Sequence, residues 1–208
     1  MVKVAGPAMS LDASGSLGGA IVFSKWKGRN YVRTLVTPAN PKTGPQTGLR
    51  AMFKFMSQNW AALSAGNKST WLIGATADAI STFNKYVQFN QLRARNFLGV
   101  TAAYPPALVS TGCTAPTATA TAGVRQITLA ITKGANPATW GWMIFRSGTT
   151  GFTPAFSNMV AAVLIDGSGN GSYVDTPLAA GAYFYKMKGF NLDAILGTLS
   201  TEYTATVV

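Results

Sequence analysis

The sequence contains no histidine, one cysteine and only six carboxylates in 208 residues. Without histidine, neither a Ser-His-Asp nor a Cys-His catalytic arrangement can form. The lone cysteine, Cys113, can build neither an intrachain disulfide nor a cysteine-rich zinc site. Hydrolysis by paired acids would require two widely scattered carboxylates to meet in one cleft. These absences predict a protein with no enzymatic activity, no cofactor and no bound metal.

Long apolar runs are absent as well. No stretch approaches the roughly 18 apolar residues of a membrane span. The first residues, MVKVAGPAMSLDASGSLGG, do not contain the apolar region of a signal peptide. We therefore expect no membrane span and synthesis in a cytoplasm.

Positive charge is abundant and unevenly distributed. Residues 1–100 hold seven lysines and five arginines against Asp12 and Asp78, a net charge of +10, whereas residues 101–208 carry a net charge of only +1. Such an excess in one region indicates an acidic partner surface or nucleic-acid phosphate, or else a solvated basic face that aids solubility.

The N-terminal region is predicted to be an arm followed by a hairpin. Residues 1–19 are rich in Gly, Ser and Ala, which is typical of an extended arm that becomes ordered against a partner. Two β-rich runs, AIVFSKW and YVRTLV, flank the polar segment KGRN, and this pattern predicts a β-hairpin. Its basic and aromatic residues are candidate partner-docking residues: Lys25, Trp26, Lys27, Arg29 and Arg33. They can bind nucleic acid, dock on a protein surface, or simply form a polar hairpin end with aromatic core residues.

A helix is predicted after the proline-rich segment TPANPKTGPQ. Thr43 and Gln46 have the spacing of a capping box at its start. Its apolar stripe has helical spacing and comprises Leu49, Phe53, Met56, Trp60 and Leu63. Arg50 and Lys54 lie off this stripe, one turn apart, and complete the candidate docking residues.

Two further helices are expected in the first half of the chain. One covers residues 67–77 with Trp71 facing inward, and the other begins after Ser81, a good N-cap residue. We expect these helices to cover the hairpin and to form with it a basic docking domain of residues 20–100.

The second half of the sequence changes to a β pattern. Residues 101–117 are rich in Pro, Thr and Ala and are predicted to form a linker. Residues 118–208 contain short β-rich runs separated by turns, which predicts an all-β antiparallel sandwich. Trp140 and Trp142 share a strand face by the period of two, and core packing is the expected fate of both.

The turn sequence DGSGNG at residues 166–171 imitates the first half of a calcium loop. A calcium loop also requires a bidentate Glu at its twelfth position, and that position is Pro177. We therefore interpret the segment as a glycine-rich hairpin turn.

In SYVDTPLAAGAYFYKMKGFN, a strand ending in Tyr-Val-Asp is followed at a set spacing by a leucine, a glycine and a tyrosine, namely Leu178, Gly181 and Tyr183. With the preceding WGWMIFRS and the final YTATVV, this region resembles a fibronectin type III or related immunoglobulin-like module. The resemblance implies an immunoglobulin-like sandwich over residues 118–208, with Tyr183 as the tyrosine-corner residue whose hydroxyl binds the backbone. It does not indicate a function.

Residues 14–90 combine SGSLGG, a Trp-Lys-Gly hairpin, an Asn-Pro-x-Thr helix entry and FNKYVQFN. In this combination the region is similar to virion structural proteins encoded by bacteriophages and prophages. The resemblance implies a phage particle component that is located in the virion and contacts other virion proteins, in a symmetric oligomer.

Three functional hypotheses follow. The leading one is a structural virion protein whose basic N-terminal region docks on an oligomeric platform, such as a portal, connector or capsid, while the sandwich projects. An alternative is an adhesive module whose exposed aromatic residues bind a host-surface receptor. The third is a nucleic-acid binder, which we favour less because the charge is confined to an arm, a hairpin and helix faces beside a nearly neutral sandwich.

Overall fold

The chain folds into two compact units. The computed structural model describes residues 2–3, 14–37, 39–40, 43–106, 113–133, 135, 141–164, 170–192 and 196–208. The hairpin unit is Met1–Pro41 and the helix–sandwich unit is Lys42–Val208. This division separates the hairpin from the helices and so differs from the expected docking domain of residues 20–100.

The hairpin unit is a four-stranded antiparallel sheet in the order β1-β4-β3-β2. Its strands are β1 (Val2–Lys3), β2 (Gly15–Leu17), β3 (Ile21–Trp26) and β4 (Arg29–Thr34). The predicted hairpin is confirmed as β3 and β4. Lys27 and Gly28 form its turn with φ of 48° and 75°. Positive φ at both positions is the two-residue turn that matches the strand twist, which explains the glycine.

The expected arm is partly integrated into this sheet. Its described segments are strands, because β1 pairs with β4 and β2 pairs with β3. Residues 4–13, which make up most of the arm, lie outside the described residues.

The helix–sandwich unit begins with four helices. They are α1 (Gly44–Ala62), α2 (Ala65–Thr70), α3 (Leu72–Ala77) and α4 (Thr82–Arg95). Trp71 is fully buried as predicted, but it divides the expected second helix into α2 and α3. Ser81 is confirmed as the N-cap of α4, where its hydroxyl accepts a hydrogen bond from the Asn84 amide at 3.1 Å.

The start of α1 is confirmed, but the predicted capping box is wrong. Thr43 is the N-cap residue and its side chain makes no capping hydrogen bond. Pro45 occupies the second helical position and has no amide hydrogen, so one of the two donors that an N-cap side chain binds is missing.

The buried face of α1 overlaps only in part with the predicted stripe. Met56 and Leu63 are buried as predicted, and Trp60 packs half-buried against the same core. The other buried residues of the helix are Gly48, Met52, Phe55 and Asn59. Leu49 and Phe53, which were predicted to be buried, are 45% and 48% exposed. The buried face is the one that packs on the sandwich.

The remainder of the unit is the predicted antiparallel β-sandwich of the immunoglobulin-like class. Its strands are β5 (Thr117–Gly123), β6 (Gln126–Thr132), β7 (Gly141–Ser147), β8 (Met159–Leu164), β9 (Asn170–Asp175), β10 (Gly181–Phe190), β11 (Leu196–Leu199) and β12 (Tyr203–Val207). One sheet has the order β5-β6-β9, and the other has β11-β10-β7-β8 with β12 also on β10. Trp142 is in the core as expected, whereas Trp140 and residues 166–169 of the DGSGNG turn lie outside the described residues.

Tyr183 forms the predicted tyrosine corner. Its hydroxyl donates a hydrogen bond to the Ala179 carbonyl at 3.1 Å, four residues upstream on the approach to β10. A part-buried ion pair and a hydrogen bond join the two sheets. The Arg146 guanidinium of β7 contacts both carboxylate oxygens of the buried Asp175 at 2.8 Å, and the Tyr185 hydroxyl donates to the same carboxylate at 2.9 Å.

The helices form a third layer on the outer face of the larger sheet. Residues of β7 alternate between two cores. Trp142 and Ile144 pack between the sheets, whereas Met143 and Phe145 pack with the helices. All four are fully buried, and Phe55 of α1 meets Phe190 of β10 edge to face at 5.2 Å between ring centroids. Because the helices cover the sandwich, they belong to its unit and not to that of the hairpin.

The described part of the expected linker, residues 101–117, is anchored in this unit. The Asn90 side chain accepts a hydrogen bond from the Thr101 amide at 2.8 Å and donates one to the Thr101 carbonyl at 3.0 Å. The Ala102 amide donates to the Leu192 carbonyl at 2.8 Å. The described segment thus connects the helices to the sandwich through fixed contacts rather than as a free spacer.

Candidate docking surfaces

One face of the hairpin sheet combines cationic and aromatic side chains. Strand pairing places Trp26 opposite Arg29, Ser24 opposite Tyr31 and Val22 opposite Arg33. Directly paired residues of antiparallel strands project to the same side, and alternate residues share a face. We name this face, formed by Val22, Ser24, Trp26, Arg29, Tyr31 and Arg33, the basic face. It presents two guanidinium groups and two aromatic rings together.

The turn extends the basic face. Lys27 lies with its Nζ atom 4.9 Å from the centroid of the Trp26 ring, which is within the range of a cation–π contact. Trp26 is 64% exposed, so its ring remains accessible beside the lysine. The turn therefore adds a third cation next to an exposed indole.

The opposite face of the hairpin sheet is apolar, and we name it the apolar face. Pairing places Leu17 beside Ile21, and Phe23 beside Val32. Leu17 is 62% and Ile21 37% exposed. Of residues 14–37, 39 and 40, none is fully buried, and Phe23 and Val32 in the middle of this face are half-buried. Lys25 pairs with Asn30 at the edge of this face.

The remaining candidate residues, Arg50 and Lys54, lie on α1 of the helix–sandwich unit. They line a hollow of about 380 Å³ with the exposed Leu49 and Phe53. The structure therefore brings Trp26, Lys27, Arg29 and Arg33 together, sets Lys25 on the opposite face and places Arg50 and Lys54 on another unit. Sequence analysis missed the exposed apolar residues of α1, because it assigned them to the core.

Cys113, the single cysteine of the sequence, is poorly placed to act as a nucleophile. It is buried beside Gly189 and Gly197, and burial raises the pKa of its thiol to about 12. The reactive thiolate is therefore not populated near neutral pH. Within the described residues, no three His, Cys, Asp or Glu side chains gather closely enough to hold a metal ion.

No described helix has the length and hydropathy that crossing a membrane requires. This finding concerns the four helices of the helix–sandwich unit, the longest of which is α1 with 19 residues.

The chain has weak structural similarity to several solved structures. The chicken interferon gamma receptor alpha chain is 14% identical, with 45% of this chain and 50% of that chain covered at a TM-score of 0.36. A β-1,2-glucanase from Parabacteroides distasonis is 20% identical, with 50% and 14% covered at a TM-score of 0.39. The PKD domain of an M14-like peptidase from Thermoplasmatales archaeon SCGC AB-540-F20 is 16% identical, with 46% and 92% covered at a TM-score of 0.26.

The chain thus spans half the length of the receptor chain and a small part of the glucanase. Similarity at this level indicates no function for this chain. No protein-family model matches the sequence, and no curated protein matches it.

Proposed function

We propose that the protein is a non-enzymatic structural component of a phage particle, located in the virion after synthesis in the host cytoplasm. It docks through the hairpin unit on an oligomeric platform, such as a portal, connector or capsid, and projects the sandwich, which we assign more finely to the fibronectin type III type. The observation that carries the proposal is the hairpin sheet, in which no described residue is buried.

A β-sheet with one hydrophobic face gains stability when that face is buried against another element of structure. Here Leu17 and Ile21 are exposed, and Phe23 and Val32 are only half-buried, so the apolar face is incompletely covered. A partner that covers this face supplies the missing layer, and an oligomeric platform offers one such site for each copy of the chain.

The charge of the hairpin unit indicates the nature of that partner. Residues 14–37 contain four cations, Lys25, Lys27, Arg29 and Arg33, and no carboxylate. Complementary potentials accelerate association and suppress wrong pairings. The platform surface that meets the basic face is therefore acidic.

The virion location rests on the similarity of residues 14–90 to phage structural proteins. Its hairpin and helix entry correspond to folded elements, β3 to β4 and the start of α1. The helix–sandwich unit has its own core, so it can project from a particle while the hairpin unit is docked.

Mass spectrometry of purified particles tests the proposal. We expect the chain at a fixed copy number in particles. An Arg29→Glu variant should be depleted from particles, whereas Arg125→Glu, the same charge reversal at an exposed position of the sandwich, should be retained. Absence of the wild-type chain from particles, or equal incorporation of both variants, contradicts the proposal.

Nucleic-acid binding is a second candidate, favoured by the alternation of rings and guanidinium groups on the basic face. The full chain should be titrated with single-stranded and duplex DNA at about 50 and 200 mM salt. Residues 1–100 alone are unsuitable, because the helices share a core with the sandwich. We expect weak binding that disappears at the higher salt. Binding that persists there and requires Trp26 would instead favour this second function.

A further inference from the structure

A groove with an apolar floor runs between α1 and α4. Two adjoining hollows form it, of about 510 and 380 Å³, and they share Leu49 and Gln91 as lining residues. The Gln91 side chain donates a hydrogen bond to the Leu49 carbonyl at 3.1 Å and so links the two helices at the bottom of the groove.

The apolar side chains of the groove are large and accessible. Leu49 is 45%, Phe53 48% and Leu92 60% exposed. Leu49 and Phe53 are four residues apart on α1, so they form one ridge. Leu92 lies on the α4 side. Contiguous exposed apolar residues rimmed by polar ones mark an interaction surface rather than scattered exposure.

The rim of the groove carries only positive charge. Arg50 and Lys54 line it on the α1 side, and Lys85 and Arg95 line it on the α4 side. Neither helix contains a carboxylate. Asp78, outside the two helices, is ion-paired with Lys85 at 2.5 Å.

These charges select the occupant. A second copy of the chain would bring the same cations against the rim, and its net charge of +11 adds to the repulsion. An acidic segment with an apolar face would cover the apolar side chains of the floor and pair its carboxylates with the cations of the rim. Lys85 and Arg95 are ten residues apart on α4, about 15 Å at 1.5 Å per residue, which matches roughly three turns of a helix lying along the groove.

We propose that the α1–α4 groove is a second docking site, which binds an acidic amphipathic helix of a different protein. The helix places apolar side chains against Leu49, Phe53 and Leu92, and carboxylates against Lys54 and Arg95. This site belongs to the helix–sandwich unit and does not depend on the hairpin or on a location in a virion.

The test uses the full chain and a fluorescent 14-residue peptide with leucines at helical i, i+3, i+4 and i+7 positions and glutamates at most others. Fluorescence anisotropy should show saturable binding to the wild-type chain. The affinity should fall at least about tenfold for a peptide with serines in place of leucines, and for one with lysines in place of glutamates.

Matched variants locate the binding. Lys54→Glu with Arg95→Glu should weaken the acidic peptide about tenfold or more. Lys27→Glu with Arg29→Glu changes the net charge of the chain equally but lies in the hairpin, and it should leave the affinity within about twofold. Phe53→Ser should weaken binding without a change of charge. Circular dichroism at 222 nm verifies that each variant is folded.

Four outcomes would overturn the proposal. They are absence of saturable binding, equal loss of affinity in the hairpin and groove variants, equal affinity for the serine peptide, and a Phe53-dependent self-association in sedimentation. Equal loss in both variants, or equal affinity for the serine peptide, would mean that the peptide binds through nonspecific charge attraction. Self-association that requires Phe53 would mean that another copy of the chain occupies the groove. Depletion of Arg29→Glu from particles is a separate readout, so the two proposals can fail independently.

Discussion

Replacing Phe145 by alanine tests whether the helices and the sandwich form one cooperative unit. Phe145 is fully buried on the outer face of β7, and its ring centroid is 5.9 Å from that of Phe97. It belongs to the core that also includes Met52 and Trp71 of the helical layer. Its neighbour Ile144 belongs to the core between the sheets, so adjacent positions probe the two interfaces.

The expected cost follows from the packing of this side chain. A buried Phe→Ala change removes transfer free energy and leaves a cavity, at about 3–5 kcal/mol. Phe145 has no exposed area and neighbours in two layers, so we expect about 4 kcal/mol. Domain stability is only about 5–15 kcal/mol, and the change is therefore easily measured.

The assay is urea unfolding at 222 nm combined with amide hydrogen exchange. If the layers are cooperative, amides in α1 and in β6 lose the same free energy of opening, although β6 lies in the other sheet. Ile144→Val is the matched control and should cost about 0.5–1.5 kcal/mol in both elements. A helical transition at lower urea with wild-type protection in β6 would refute the shared unit.

Three further changes test particular contacts. Gly197→Ala would place a Cβ atom 2.3 Å from the Cys113 carbonyl oxygen. We expect it to lower the free energy of unfolding in urea by more than about 2 kcal/mol, whereas a loss within about 0.5 kcal/mol, as for a surface substitution, would contradict this close contact. Tyr183→Phe removes the hydrogen bond to Ala179 and should cost about 1 kcal/mol, and an unchanged unfolding midpoint would contradict this. Burial raises the pKa of Tyr86 to about 12, against a smaller opposing effect of its hydrogen bond with Asn59. The neutral phenol is thus favoured in the folded state, so stability should be retained below pH 10 and fall between pH 10 and 12, and Tyr86→Phe should reduce that fall.

Features that depend on local backbone rules could be predicted from the sequence. The hairpin followed from alternating β-rich runs around Lys27 and Gly28, because a two-residue turn with positive φ fixes the register of both strands. The tyrosine corner at Tyr183 was implied by the resemblance of Leu178, Gly181 and Tyr183 to an immunoglobulin-like module. Both features involve residues close together in the chain.

The buried face of α1 could not be predicted from periodicity alone. Two overlapping stripes fit a helix here, and only the packing partner decides between them. Gly44 and Gly48 lie against the turn at residues 156–158, where an added Cβ atom would be 1.8 Å from the Ser157 and 2.6 Å from the Phe156 carbonyl oxygen. Glycines spaced four apart were the available signal for this close approach, and they place Leu49 on the exposed side.

The helical layer was assigned to the wrong partner because composition carries no information on long-range contacts. A strand of a two-layered sandwich is expected to bury one face, yet Trp142 to Phe145 of β7 are buried on both. A strand with continuous apolar residues indicates a sheet covered on both sides. The sequence GWMIFRS contains such a run, and it could have indicated a third layer.

Because the helices pack with the sandwich and not with the hairpin, the free energy of the proposed docking is supplied by contacts of the hairpin unit. The helix–sandwich unit contains two buried cores. The hairpin unit has an apolar face and a basic face with no buried described residue, so in the proposed function the docking partner completes its burial. In that proposal ordering of the sheet accompanies docking, and part of the interaction free energy is used to fix the strands. A turn that is already favourable, at Gly28, reduces that cost, and its replacement by valine should therefore weaken docking more than it weakens the helix–sandwich unit.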